Sequence, residues 1–282
     1  LKIGEILKKK ERTLSFEFFP PKKAENEQTL FDTIEVLKKY KPDFVSITYG
    51  AGGSTRDKTL EWTLRVKKQY RLNPMMHLTC ITATRDFVDE IANTLKANSV
   101  DNILALRGDL PKDFDRSKME FEYAYQLVEC LKSKWDFSIG VAGYPEGHPE
   151  SPSLEKDVEY LKMKVDAGGD FIITQLFFDN SKFFRFLDRL EKFQIKVPVI
   201  AGIMPILSLT QVKRFVEMCG ATIPKELLDN LEGKSGEDAY KVGVDYAIKQ
   251  CQELIDNDVK GLHFYTLNKF NATEEIVKQL RF

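Results

Sequence analysis

Eight short apolar runs, each followed by a longer segment of helical period, recur along this chain of 282 residues. Such alternation implies βαβ units, because a parallel strand is buried on both faces and each crossover helix covers one of them. The runs are Leu14 to Phe19, Phe44 to Thr48, Met76 to Ile81, Ile103 to Leu106, Ser138 to Ala142, Phe171 to Thr174, Val197 to Ile200 and Gly261 to Thr266. Between them, apolar residues return at helical spacing, as in Leu30, Ile34 and Leu37, or Leu154, Val158, Leu161 and Val165. A polar helix is expected from about Thr55 to Tyr70, and a long one from Gly236 to Leu254. Eight units at this length favour a closed (β/α)8 barrel over an open doubly wound sheet. Ile223 to Leu231 reads as an extra short helix before the eighth strand.

Charge excludes several classes of partner. The 42 basic and 43 acidic residues leave a formal net charge of −1, so no field draws the chain to nucleic acid or to an anionic membrane. Lys8, Lys9 and Lys10 read as the solvated face of the first helix. No run approaches the roughly 18 apolar residues of a membrane span, and the first residues lack the apolar segment of a secretory signal. The chain does not begin with Met, as if it starts inside a longer precursor. Cys80, Cys130, Cys219 and Cys251 stand far apart, with no CxxC pair and no His at zinc-ligand spacing. That pattern predicts neither a disulfide framework nor a metal site, and suits a reducing cytoplasm.

In a barrel of this class reactive groups sit at the C-terminal ends of strands. Glu17 interrupts the first strand, and period-2 alternation sets Ser15, Glu17 and Phe19 on one face, Leu14, Phe16 and Phe18 on the other. Burial among Phe-rich neighbours would raise the carboxyl pKa and favour its protonated form, a good general acid. The fourth strand ends in Arg107-Gly108-Asp109, which taken alone fits a turn with a local ion pair equally well. Asp179 suits a helix N-cap, whereas Gln175 has an amide that both donates and accepts, as needed to hold a pterin or nicotinamide edge. The glycines after Thr48 and Tyr49 would let backbone approach a ligand, with Ser54 or Thr55 capping the next helix. His77 and His263, each alone in a strand, read most simply as hydrogen-bonded core residues. Glu17 and Asp109 could also serve as the carboxylate pair of a glycosidase, so these residues alone leave hydrolase and redox chemistry both open.

Taken together, the strand ends resemble the methylenetetrahydrofolate reductase family. The matching segments are Phe16-Glu17-Phe18-Phe19-Pro20-Pro21, Val45-Ser46-Ile47-Thr48-Tyr49-Gly50-Ala51, His77-Leu78-Thr79-Cys80 and Leu106-Arg107-Gly108-Asp109. They continue through Tyr144-Pro145-Glu146-Gly147-His148-Pro149, Ile173-Thr174-Gln175-Leu176-Phe177-Phe178-Asp179, Gly202-Ile203-Met204-Pro205 and His263-Phe264-Tyr265-Thr266-Leu267-Asn268. Each is weak alone, but they stand in family order over nearly the whole chain.

The resemblance implies that residues 1–282 form one FAD-binding catalytic barrel, without the regulatory domain of eukaryotic members. It implies noncovalent FAD that takes hydride from NADH or NADPH and passes it to methylenetetrahydrofolate. By motif match, Glu17 is similar to the general acid and Asp109 to the carboxylate beside pterin and flavin. FAD contacts would fall on Thr48, Tyr49, Ala51, His77, Arg107, Gly108, Asp109, Ala124, Tyr144, His148, Asp157 and Lys164, with Arg107 and Lys164 facing the diphosphate. Gln175, Gln211, Phe215 and Lys269 would contact folate or nicotinamide. Bacterial relatives often carry Arg where this chain has Lys269, and a lysine cannot grip a carboxylate in a bidentate fork. A homo-oligomer is implied as well, or, as in some relatives, a partner subunit that delivers electrons.

Overall fold

A computed structural model describes residues 1–21, 23–49, 56–111 and 114–281. Eight parallel strands close into a barrel in sequence order, with β1 paired to both β2 and β8. They are β1 (Thr13–Phe18), β2 (Phe44–Ile47), β3 (Pro74–Thr79), β4 (Asn102–Leu106), β5 (Ser138–Gly143), β6 (Phe171–Thr174), β7 (Val199–Ile203) and β8 (Gly261–Tyr265). The helices are α1 (Ile3–Lys9), α2 (Glu27–Leu37), α3 (Arg56–Arg65), α4 (Arg85–Ala97), α5 (Ala124–Lys134) and α6 (Leu154–Asp166). They continue as α7 (Asn180–Lys192), α8 (Leu209–Cys219), α9 (Lys225–Leu231), α10 (Gly236–Asp256) and α11 (Phe270–Gln279). The (β/α)8 expectation holds, and α9 is the extra helix before the last strand. Pro224 precedes it, and Leu227 and Leu231 seat it in a cluster shared with Ala239 of α10.

Each strand carries two kinds of side chain because the pleat alternates. In β1, Leu14, Phe16 and Phe18 point outward and pack with Leu30, Ile34 and Leu37 of α2. Ser15 and Glu17 point inward, where they meet His263. Phe19 departs from the expected face: the strand ends at Phe18, and Phe19 is exposed beyond it. The third and seventh strands are also displaced by two or three residues from the apolar runs, to Pro74–Thr79 and Val199–Ile203. Pairing partners, not hydrophobicity, set those ends, since β3 begins where its backbone reaches Val45.

The barrel interior is layered. At the N-terminal end Phe44, Met75, Leu104, Phe171, Ile173 and Ile200 form an apolar plug closed by Ile3 and Leu7 of α1. Burying each such side chain stabilises by about 1.5–3 kcal/mol. Asn102 and Ser138 receive the backbone N–H groups of Ile3 (2.8 Å) and Gly4 (2.9 Å), two of the donors that the start of a helix leaves unsatisfied. Above the plug the inward residues turn polar. The ring of His263 lies stacked on that of Phe44, 5.8 Å away, at the boundary. The apolar layer thus fills one end of the barrel and leaves the polar groups at the other.

Candidate active site

The polar layer centres on Glu17. Its Oε2 lies 3.4 Å from His77 Nε2, 3.4 Å from His263 Nε2 and 3.3 Å from the Ser46 hydroxyl, which donates to it. Ser15 Oγ holds the other side of the His263 ring, 2.8 Å from Nδ1. These residues come from β1, β2, β3 and β8, and all are buried. Closure of the barrel brings them together, since strands at opposite ends of the chain become neighbours.

This setting corrects the expectation of a protonated Glu17. Burial does push the carboxyl upward, but His77, His263 and the Ser46 hydrogen bond outweigh it and hold the group below its ordinary range. Burial meanwhile pushes His77 down to about 4. Glu17 and His77 therefore share whichever proton the pair takes up in acid, and at neutral pH the pair is a carboxylate beside a neutral imidazole. The Phe-rich sequence neighbours point outward to α2, so they desolvate the strand without supplying the groups that face Glu17.

Around the cluster stand the loops that follow the strands. Thr48 ends the β2 run, and its buried Oγ1 has no hydrogen-bond partner among the described residues. Arg107, Gly108 and Asp109 follow β4, with Asp109 exposed at the rim and Arg107 bonded to Glu150 at 2.6 Å. That bond is the chief reason Glu150 titrates below the usual carboxylate range. After β5, Tyr144 and His148 meet edge to face at 4.7 Å. Burial, reinforced by the charges of Asp157 and Asp109, pushes the Tyr144 hydroxyl up to about 12, so it remains a donor at neutral pH.

Ala124 is the first residue of α5 and is buried. Asp157, in the first turn of α6, accepts from the Ser151 hydroxyl at 2.8 Å. Lys164 donates to the Ala142 carbonyl at 2.6 Å, and burial lowers its amine to about 8, still mostly charged at neutral pH. The two cations expected to face a diphosphate are thus already partnered, one by a carboxylate and one by a carbonyl. Gln175 follows β6, and its side-chain oxygen receives the N–H of Leu176 at 2.9 Å. Gln211 bridges its own approach turn, accepting from Leu207 N at 2.7 Å and donating to Pro205 O at 3.4 Å. Phe215 lies half-buried on α8, and Lys269 is exposed just before α11. Ala51, Ser54 and Thr55 lie outside the described residues.

Two features of the mouth escaped the sequence reading. His263 and Ser15 are one; the period-2 face shared by Ser15 and Glu17 was the available signal. The other is a strut: the Tyr265 hydroxyl crosses β7 to donate to the Thr174 carbonyl at 2.6 Å, just before Gln175. It passes because Gly202 has no side chain. A Cβ there would lie 2.2 Å from the Thr174 oxygen and 2.7 Å from the Tyr265 hydroxyl. Gly202→Ala is expected to destabilise the protein by at least ~2 kcal/mol, because backbone, strand and strut must all shift. Urea unfolding checks this, and a midpoint equal to wild type would mean that the strut yields freely.

The mouth therefore holds a buried carboxylate with two imidazoles, a threonine hydroxyl with no partner among the described residues, an aromatic pair and two partnered cations. That is a donor set able to grip both a planar heterocycle and an anionic group. A sequence model described as methylenetetrahydrofolate reductase matches residues 2–281. The 5,10-methylenetetrahydrofolate reductase of Salmonella typhimurium is 43% identical over 269 residues, covering 95% of this chain and 90% of that protein. Methylenetetrahydrofolate reductase (NADH) 1 of Arabidopsis thaliana is 39% identical, covering 95% of this chain but 48% of the plant protein. Among solved structures, an uncharacterized protein from Clostridium thermocellum described as binding two copies of 5-methyl-5,6,7,8-tetrahydrofolic acid superposes with a TM-score of 0.68. It covers 98% of this chain and 95% of that one at 16% identity, a likeness of fold. A family match over residues 2–281, with a relative 43% identical across 95% of this chain, makes this chain a member of the methylenetetrahydrofolate reductase family.

Proposed function

We propose that this protein reduces 5,10-methylenetetrahydrofolate to 5-methyltetrahydrofolate in a ping-pong reaction, with FAD as cofactor and NADH or NADPH as hydride donor. Bound FAD would supply the hydride relay between nicotinamide and folate. The observation that carries the reading is the placement of Glu17, a buried carboxylate at the centre of a barrel mouth lined by donors. Thr48, whose hydroxyl has no partner among the described residues, and the Tyr144–His148 ring pair fit the polar edge and plane of a flavin. By motif match, Tyr49, Ala51, His77, Gly108, Asp109, Ala124 and Asp157 would supply its remaining contacts. Arg107 would leave Glu150 for a diphosphate, an exchange of one anion for another, and Lys164 would add its charge.

Glu17 would hold the proton that opens the five-membered folate ring, and Asp109, negative at the rim, would favour the resulting cation. Gln175 would present its amide to folate and nicotinamide in turn, with Phe215 stacking against either. Gln211 would exchange its bond to Pro205 for the pterin. The test is anaerobic stopped-flow on the purified holoprotein. Flavin should be bleached by NADH or NADPH and reoxidised by methylenetetrahydrofolate; a flavin-free protein, or reduced flavin that ignores the folate, sinks the reading.

Lys269 would meet the glutamate tail of folate as an exposed point charge, a weak contact. Lys269→Ala should raise the folate KM about 5-fold with kcat nearly unchanged, the mark of lost uniform binding. Lys269→Arg should lower KM through a second parallel hydrogen bond. Both effects should shrink in high salt. An alanine variant with wild-type KM at low salt would place the tail elsewhere.

A further inference from the structure

The loop after β5 carries Tyr144 and His148, and it is held at several points. Arg189 of α7 donates to the Pro145 carbonyl at 2.6 Å, Gly147 N donates to Tyr144 O at 3.0 Å, and Glu150 N donates to His148 Nδ1 at 3.1 Å. The neighbouring α8 is held far more loosely. Of its side chains only Val212 is buried, whereas α7 buries Asn180, Phe183, Phe186 and Leu190. Leu209, Phe215, Val216 and Cys219 of α8 are half-covered. A helix with so little apolar area in the core opens at low cost unless something else fixes it.

Glu146 supplies that fixing. Its two carboxylate oxygens each accept one hydrogen bond from Thr222, just past the end of α8: Oε1 from the backbone N–H at 3.0 Å and Oε2 from the hydroxyl at 2.7 Å. Gly220, the C-cap of α8, closes against the same loop, where an added Cβ would lie 3.4 Å from Pro149 Cγ. A carboxylate that receives both donors of one residue fixes orientation as well as distance.

We propose that Glu146 is a positioning residue, a latch that ties α8 to the loop after β5 and so fixes the helix that carries Phe215 and Gln211. The inference rests on the proposed reading of Phe215 and Gln211 as substrate contacts. The latch acts on substrate and not on the fold, because Thr222 is exposed and the loop itself is anchored independently.

Cys219 reports on the latch directly. It is the last residue of α8 and half-buried, whereas Cys80, Cys130 and Cys251 are buried. Thr222→Ala should speed maleimide labelling of Cys219, located by peptide mass, about 10-fold, the change that loss of one charge-assisted bond produces, and Glu146→Ala, which removes both bonds, should speed it at least as much. Thr222→Ala keeps the Glu146 charge beside the thiol, so its acceleration measures opening alone. In the holoenzyme both variants should raise KM for folate and nicotinamide about 5- to 20-fold, with flavin content unchanged and kcat within about twofold. Thr222→Ser should restore both readouts, and the double variant should be no worse than Glu146→Ala. Labelling at the wild-type rate in both single variants overturns the latch. Faster labelling with unchanged KM overturns the positioning role. A wild-type enzyme that turns over no folate sinks the proposed function instead, and the labelling rates still decide the latch.

Discussion

Glu17→Gln is expected to leave the protein folded, loaded with flavin and reducible by nicotinamide, while its reduction of folate falls by about 10²–10⁴-fold. The substitution keeps volume and keeps an acceptor for the Ser46 hydroxyl, so the cluster with His77 and His263 loses its charge but not its packing. Only the folate half-reaction needs a proton delivered to a leaving nitrogen, so only that half should slow. The charge state of Glu17 adds a second readout. Because its carboxyl sits below the ordinary range, the acid form is scarce at neutral pH, and the folate half-reaction of the wild type should quicken as pH falls from about 8 to 6. The variant should lose that dependence. Rapid-mixing measurement of each half-reaction separates the cases: equal slowing of both would make Glu17 structural, and a flat wild-type profile would place the acid elsewhere.

Acid should cost this protein stability through His77. In the folded barrel its ring titrates at about 4, against 6.5 in the unfolded chain, because burial disfavours the charged form. Between those values the unfolded chain holds a proton that the folded protein refuses. Stability is therefore full above about pH 6.5 and declines as pH falls toward 4, by about 3 kcal/mol in all. Glu17 acts in the same direction, since its lowered folded pKa gives stability that is lost as pH falls through that value. His77→Gln removes the first contribution. Urea unfolding of both proteins across the window should show the variant curve flatter than wild type; parallel curves would rule out His77 as the source. The two experiments bear on one cluster, so the order of the sensitivities matters. A rate that rises on acidification must do so before stability is exhausted, which sets the useful range between neutrality and about pH 5.

The number and order of the βα units could be read along the chain because both signals are local. Strands repeat every second residue and helices every third or fourth, so a window of a few residues reveals each unit, and eight units leave one economical closure. Glu17 was legible for a related reason: a carboxylate inside a strand buried on both faces breaks the pattern, and such breaks gather at sites. The extra helix was legible as the segment Ile223 to Leu231 left over before the eighth strand, and α9 spans Lys225–Leu231 within it. Strand ends were less legible at β3 and β7, where hydrogen-bond partners on the adjacent strand outrank local hydropathy.

What only the tertiary structure decided is who faces whom. His263 lies 246 positions from Glu17 along the chain, and closure of β8 onto β1 makes them neighbours. The state of that carboxyl follows from those neighbours and not from the phenylalanines beside it in sequence, which point to the opposite face. The same holds for Gly202, an ordinary strand glycine until the Tyr265 hydroxyl passes over it, and for Glu146, whose partner Thr222 arrives from beyond another helix. Periodicity is a property of consecutive residues, so sequence carries it whole. A pKa, a strut or a latch is a property of atoms a few ångströms apart, and for these residues that proximity exists only once the barrel has closed.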